Sequence, residues 1–383
     1  MKKIDLHIPY LGKKEIKYLI QAINKNELTF GKNLNKFKKK ILNFTKSKYA
    51  ASVNSGTSAI FLSLKAIGVK ANDEVIVPSL TFVATINSII YANAAPIFID
   101  VDKYCNIDVN KVIEFLQKHT FQKKGYTFNK KTKKKISCLI IVNTFGNMAN
   151  ISNKLVKLCK EKKIKILEDA AESFGSYYKA DNSTKKHSGT LGDIGCFSFN
   201  GNKIITSAGG GVVVSNKREY IKKINYLANQ AKENSIEFIH NEIGYNHRLS
   251  NIHASIGLAQ IENIKYILEK KKRIHGFYLN DIKEINGLEM LVSPDYSISN
   301  YWLNIIKINK NYKYTKNILL KKLNKLNIQA RPIWIPNHLQ KPYLKFQKFK
   351  IRMTNIIYKN YLCLPSSPGL KKEQINSITK ALR

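Results

Sequence analysis

Arginine is scarce in this chain, with six positions (218, 248, 273, 331, 352 and 383) among 383 residues. Acidic residues are few as well, 26 against 65 Lys and Arg, so the formal net charge is +39. Proteins that read nucleic acid lean on arginine for two-pronged contacts and gather charge on one face or tail. Here lysine is spread along the whole length beside abundant Ile and Asn, a chain-wide bias that argues against a nucleic-acid partner. Its side effects are solubility and attraction of anionic ligands. Cysteine is sparse: five residues (105, 138, 159, 196 and 363), odd in number and with no C-x-x-C pair. That pattern argues against a disulfide framework or a metal site and for a reducing, cytoplasmic setting. Long apolar runs are missing too. The best window, Phe82 to Ile99, is broken by Asn87, Asn93 and Pro96, so no membrane span is expected. Asp5 and His7 follow Met1-Lys2-Lys3 where a signal peptide needs an apolar run, so none is expected.

What is present is a regular alternation. The length suggests two domains, and a hydrophobic content of 44% is ordinary for a chain with a sizeable core. Helical patterns cover Glu15 to Ile23 and Leu34 to Phe44. Then strands (Tyr49 to Val53, Glu74 to Val77, Pro96 to Asp100, Cys138 to Val142, Ile164 to Leu167) alternate with helices (Ser58 to Ala66, Phe82 to Tyr91, Val109 to Gln117, Asn153 to Glu161). Strands this apolar belong to a largely parallel sheet covered on both faces, an α/β architecture. Lys118 to Lys135 interrupts the rhythm as a surface insertion or long hairpin. Asn251 to Arg273 reads as one long amphipathic helix bridging to a smaller α+β unit, giving a large domain over 1–250 and a small one over 251–383. The N-terminal segment is a candidate to pack on the small unit.

Ligands in such sheets bind at the carboxyl ends of strands. Three pieces fall there. Ser55-Gly56-Thr57 stands where a strand turns into a helix, so free N–H groups and hydroxyls meet the positive end of the helix dipole; the segment is either an anion site or an N-cap. Glu168-Asp169 closes a strand, as partner for a protonated ring nitrogen or as a helix cap. Lys203 follows the apolar run Gly195 to Phe199 and the turn Asn200-Gly201-Asn202, just ahead of Gly209-Gly210-Gly211. A lysine placed so is either one more solvated cation or a desolvated nucleophile. A phosphate cradle, a carboxylate and a lysine in this order are what a pyridoxal phosphate site needs.

The motifs Ser55-Gly56-Thr57-Ser58-Ala59, Pro78-Ser79-x-Thr81-Phe82-Val83-Ala84-Thr85, Glu168-Asp169-Ala170-Ala171, Ser198-Phe199-x-x-x-Lys203 and Gly244-Tyr245-Asn246-x-Arg248-Leu249 resemble the DegT/DnrJ/StrS sugar aminotransferases. His338-Leu339-Gln340-x-Pro342-x-Leu344 extends the likeness almost to the C-terminus. Within that family the runs Glu172 to Gly175, Ser198 to Thr206 and His240 to Asn246 look most like the subgroup making 4-amino-4,6-dideoxy sugars for legionaminic-acid-type glycans.

The resemblance implies a pyridoxal-phosphate transferase of fold type I, a homodimer with shared active sites. Its substrates would be L-glutamate and a nucleotide-linked 4-keto-6-deoxy sugar. Lys203 would carry pyridoxal 5′-phosphate and shuttle the proton, and Asp169 would hold the ring nitrogen protonated. Phe82 would stack on the ring, and Gly56, Thr57 and Ser198 would hold the phosphate. Asn246 would reach the phosphate of the neighbouring subunit, and Tyr245, Arg248 and His338 would meet the sugar nucleotide. Three positions depart from the family's habit: Glu172 beside the cofactor's phenolic oxygen, where many members have His or Gln; His247 for Tyr; and Ser207-Ala208 for Thr-Gly. A lysine at 203, where related dehydratases have His, favours amino transfer. Readings from other classes are a regulator without turnover and a polyanion binder using the lysines.

Overall fold

The computed structural model describes residues 3–179, 184–234 and 236–383. Its centre is an eight-stranded sheet in the spatial order Tyr49–Val53, Gly211–Ser215, Ile194–Ser198, Lys165–Asp169, Ile136–Val142, Glu74–Pro78, Ala95–Ile99, Lys348–Phe349. Only Gly211–Ser215 runs against its neighbours; every other pairing is parallel. The central strands are buried along their whole length, and helices cover both faces. This is why they read as uninterrupted apolar runs instead of alternating ones. The insertion expected after residue 118 is a two-stranded hairpin, Thr120–Lys123 with Tyr126–Asn129.

Local chemistry sets the ends of the elements that matter. Ser55 Oγ accepts the Ser58 N–H at 3.0 Å and opens the helix Gly56–Ala66 as its N-cap. Phe82 occupies the N-cap of Val83–Tyr91 in extended conformation without a capping side chain, so it is presented at the helix mouth. Along the strand Lys165–Asp169, successive side chains point to opposite faces. Glu168 therefore turns away from its neighbour and accepts three backbone N–H groups, from Gly189 (2.9 Å), Leu191 (2.5 Å) and Gly192 (2.7 Å). It anchors a loop beneath the sheet, while Asp169 faces the other way.

The long helix expected over Asn251 to Arg273 is two helices, Asn251–Glu262 and Ile264–Ile282, meeting at Asn263. The first is not amphipathic. Ala254, Ser255, Gly257, Leu258, Ala259, Gln260 and Ile261 are all buried, because Lys13–Asn24 and Lys32–Thr45 pack over it. Gly257 is needed there, since a Cβ would stand 2.9 Å from the Phe37 ring.

A second, antiparallel sheet orders Leu288–Met290, Asn304–Ile308, Tyr361–Leu364 and Arg331–Pro332. Its core draws on Ile274, Tyr278, Leu319, Leu323, Ile375 and Ile378 from the surrounding helices. Two segments cross between the units: Ile4 joins this second core and bridges to Ile328, while Lys348–Phe349 returns to the edge of the large sheet. All five cysteines are buried and free. No helix among the described residues is long and apolar enough to cross a membrane.

Candidate active site

The carboxyl ends of Tyr49–Val53, Glu74–Pro78, Lys165–Asp169 and Ile194–Ser198 open into a cavity of about 400 Å3. Ser55, Gly56, Thr57, Phe82, Asp169, Glu172, Ser198 and Lys203 all line it. The sequence expectations for these eight thus converge on one space. Lys203 Nζ lies 3.7 Å from Glu172 Oε1 and 4.3 Å from the centroid of the Trp302 ring.

Asp169 is buried, and its Oδ2 accepts the Thr85 hydroxyl at 2.6 Å while Oδ1 accepts the Ala171 N–H at 3.2 Å. Burial raises its pKa; the Thr85 and Ala171 bonds and the charge of Lys203 oppose that rise. Glu172 is equally enclosed, and burial pushes its pKa up to about 7 against the pull of Lys203 and of the Phe145 N–H, which it accepts at 2.8 Å. Glu172 can therefore carry a proton near neutrality.

The wall facing the helix mouth is a cradle. A Cβ on Gly56 would lie 2.7 Å from the Ser198 Cβ, so the backbone of the helix start and the strand end are in contact. At that junction the N–H groups of Gly56 and Thr57 have no partner within their own helix. Close backbone, helix dipole and a hydroxyl suit a phosphate; the buried Asp169 suits a ring nitrogen; Lys203 suits an aldehyde. The residues fit pyridoxal phosphate.

Not every expected residue comes to this space. His338 is expected at the substrate but is buried, with Nδ1 2.5 Å from the Ser79 hydroxyl, and does not line the cavity. With Asn337, which donates to Thr81 O at 2.8 Å, it clamps the loop that delivers Phe82. Tyr245, Asn246 and Arg248 also lie outside the cavity of their own chain. Tyr245 packs on Phe61 and stacks on His247, Arg248 covers Phe30 at 4.5 Å, and Asn246 is exposed. Phe82 is half-exposed and meets Trp334 edge-on at 6.0 Å.

Sequence reasoning missed Thr85, Trp302 and Trp334. The signal for the last two was their rarity: the chain has two tryptophans, and both line this cavity. The substituted pair at 207–208 has a visible consequence, because Ala208 sits at φ +63°, where glycine is at ease.

A larger basin of about 710 Å3 lies at the opposite ends of the strands, lined by Lys70, Lys135, Lys160, Lys163, Lys165 and Lys217. Asp193 already pairs with Lys217 at 2.9 Å and Lys165 at 3.9 Å. Two helices, Gly56–Ala66 and Asn153–Glu161, bring their C-terminal ends there, so the remaining lysines face the negative ends of helix dipoles. The polyanion reading gains nothing from it.

Comparison with known proteins agrees with this geometry. The model of the DegT/DnrJ/EryC1/StrS aminotransferase family matches residues 9–383. EpsN of Bacillus subtilis, whose name places it among pyridoxal phosphate-dependent aminotransferases, is 35% identical over 389 aligned positions, covering 100% of this chain and 95% of EpsN. The UDP-4-amino-4,6-dideoxy-N-acetyl-β-L-altrosamine transaminase of Campylobacter jejuni (strain 81-176) is 28% identical, covering 93% of this chain and 90% of the relative. In fold, the chain superposes on the Helicobacter pylori aminotransferase PseC with a TM-score of 0.88 at 24% identity, covering 100% of this chain and 98% of PseC. The chain belongs to the DegT/DnrJ/EryC1/StrS aminotransferase family and is a sugar aminotransferase that depends on pyridoxal phosphate.

Proposed function

We propose that this enzyme moves an amino group from L-glutamate to C4 of a nucleotide-linked 4-keto-6-deoxy sugar. The acceptor in this reading is a UDP-linked, N-acetylated hexosamine, the setting is surface-glycan assembly in the cytoplasm, and the working unit is a homodimer. The observation that carries it is the meeting of Lys203, Asp169 and Glu172 in one cavity beside a phosphate cradle. The acceptor is supported by the Campylobacter relative, whose name states a UDP sugar with nitrogen at C4 and a deoxy C6.

When bound, the cofactor supplies an electron-withdrawing ring that makes the C–H beside the substrate nitrogen acidic. Asp169, which accepts hydrogen bonds from Thr85 and Ala171, would hold a proton on the ring nitrogen. Gly56, Thr57 and Ser198 would hold the phosphate, and Phe82 would cover the ring. Lys203 would hold the cofactor's aldehyde end and, when free, would move a proton at the donor's α-carbon and at C4 of the sugar. Glu172, its pKa pushed up to about 7 by burial, can keep its proton and so need not repel the phenolic oxygen.

Two features support a dimer. Ile16, Ile20 and Ile23 form an exposed apolar stripe at helical spacing on Lys13–Asn24, with Leu28 and Phe30 exposed just beyond. Asn246 is exposed and outside its own cavity, as a residue serving a second copy would be. Tyr245 and Arg248, on the same segment, would meet the sugar nucleotide across that interface.

The test supplies glutamate and a panel of UDP- and GDP-linked 4-keto-6-deoxy sugars, with products read by mass spectrometry. The reading expects glutamate to bleach the visible cofactor band and one UDP-linked keto sugar to gain an amine at C4. A band that bleaches while no keto sugar in the panel is aminated would overturn the acceptor assignment. Borohydride reduction followed by peptide mapping should place the cofactor on Lys203.

A further inference from the structure

Lys203 has two close neighbours in the cavity, and one of them carries no charge. The indole of Trp302 presents its ring 4.3 Å from Nζ, inside the range of a cation–π contact. The ring is held in place by every polar group of its residue. Its backbone N–H donates to Asn300 Oδ1 at 2.9 Å, its carbonyl accepts a bond from the fully buried Lys271 Nζ at 2.6 Å, and its Nε1–H donates to the Asn202 carbonyl at 2.6 Å. The last bond ties the indole to the residue preceding Lys203. The Asn300 side chain also donates to the carbonyls of Glu172 (2.9 Å) and Phe174 (3.0 Å), so one amide fixes both neighbours of the lysine. The Phe145 ring lies nearly parallel to the indole at 6.4 Å and backs the wall. Among the described residues, the charged or titratable groups near Lys203 include Glu172 at 3.7 Å, Asp169 and His7.

We propose that Trp302 is a positioning residue that docks the free ammonium of Lys203 during the half of the cycle in which the lysine is not joined to the cofactor. The proposal rests on Lys203 being the attachment point. Joining the Lys203 ammonium to the aldehyde forms a carbon–nitrogen double bond at Nζ; the aldehyde oxygen leaves as water with two of the ammonium protons, and the remaining charge is spread over the new double bond, so the compact ammonium attracted by the ring face no longer exists. Displacement by the donor's amine returns Nζ as a neutral amine, and the proton it takes from the donor's α-carbon regenerates the ammonium. The indole therefore favours the released state over the joined one. By linkage it must favour a ligand that leaves Lys203 free, pyridoxamine 5′-phosphate, over one that consumes it, pyridoxal 5′-phosphate. A wall that only shapes the cavity would help both ligands alike.

Equilibrium dialysis of apoenzyme with each of these two ligands reads the difference without turnover. Trp302→Leu should lower the preference for pyridoxamine 5′-phosphate relative to pyridoxal 5′-phosphate by roughly fivefold to thirtyfold, the range of a partly to fully desolvated cation–π contact. Trp302→Phe keeps an aromatic face and should shift the ratio in the same direction by less; it also serves if the leucine variant does not fold. In a Lys203→Ala background the ratio should no longer respond to either change. Equal loss of affinity for both ligands, an unchanged ratio, or the same response without Lys203 would each overturn the proposal. If Lys203 is not the attachment point, peptide mapping after borohydride reduction shows it separately, by a label on another lysine.

Discussion

The Thr85 hydroxyl donates to Asp169 Oδ2 at 2.6 Å, and Thr81 Oγ1 lies 3.0 Å from Thr85 Oγ1 in turn. This short chain, on the first turn of Val83–Tyr91 and the loop before it, opposes the rise in pKa that burial imposes on Asp169. A hydrogen bond to an ionised group contributes about 1.5–3 kcal/mol. Thr85→Val should therefore weaken pyridoxal phosphate binding by roughly tenfold to a hundredfold, measured by equilibrium dialysis. Unchanged affinity would show that Asp169 keeps its charge without help.

Asp169→Asn should keep the fold and lose most of the activity, because an amide cannot hold the ring-nitrogen proton. Loss of such a preorganised partner costs on the order of 3 kcal/mol in the barrier, a factor of ~100 in kcat. Near-normal turnover would reduce Asp169 to a helix cap.

Glu172 gives the apoenzyme a pH signature. Its folded pKa, about 7, lies above its ordinary value of 4.5, so the fold disfavours the ionised form. Its contribution to stability is fully present below about pH 4.5 and is lost as pH rises through 7. Glu172→Gln does not titrate and should lose less stability between pH 5 and 8, by up to about 3 kcal/mol. Parallel urea-unfolding curves for wild type and variant across that interval would contradict the assignment.

Ala208 stands in the left-handed region at φ +63°. Ala208→Gly relieves the clash of the Cβ but adds freedom to the unfolded chain, so the net gain should be about 0.5–1 kcal/mol. A fall in the unfolding midpoint would show that the methyl group packs usefully.

Asn246 tests the dimer. Asn246→Asp would set a carboxylate against the cofactor phosphate, with a repulsion of roughly 4 kcal/mol at an effective dielectric of 20. Mixed with inactive Lys203→Ala protein, it should regain roughly a quarter of normal activity if each site draws Asn246 from the other subunit, since a mixed dimer then has one intact site. A mixture no more active than its parents, with exchange verified by pull-down, would place Asn246 in its own subunit's service.

Much of this was legible beforehand. The strands could be read because burial on both faces removes polar residues from them, and Lys203, Asp169 and Ser55 because strand ends in a parallel sheet converge. Glu168 and Asp169 could not be told apart by sequence position alone; the pleat assigns one to a loop and the other to chemistry. Asn251–Glu262 lacked an apolar stripe because helices nearly 220 residues upstream cover its outer side, as the bonds from Asn33 to Ser255 and from Leu34 N–H to Asn251 show. Trp302 reaches the cavity from the second sheet's side of the molecule, a proximity that no local pattern encodes.

The N-terminal segment is tied to residues more than 320 positions later in the chain. Ser366 N–H donates to Leu6 O at 2.6 Å, Ile8 N–H to Ser367 Oγ at 2.8 Å, and Ile4 N–H to Asn327 O at 2.9 Å. His7, on the same stretch, helps wall the space next to Lys203's cavity. During synthesis residues 4–8 leave the ribosome before any of these partners, Asn327, Ser366 or Ser367, has been made, and chains grow at about 5–20 residues per second. The large sheet can be complete while this segment still waits. A nascent chain halted at residue 350 would have its lysine, its carboxylates, its phosphate cradle and the Asn327 that meets Ile4, but not the Ser366 and Ser367 that fasten Leu6 and Ile8.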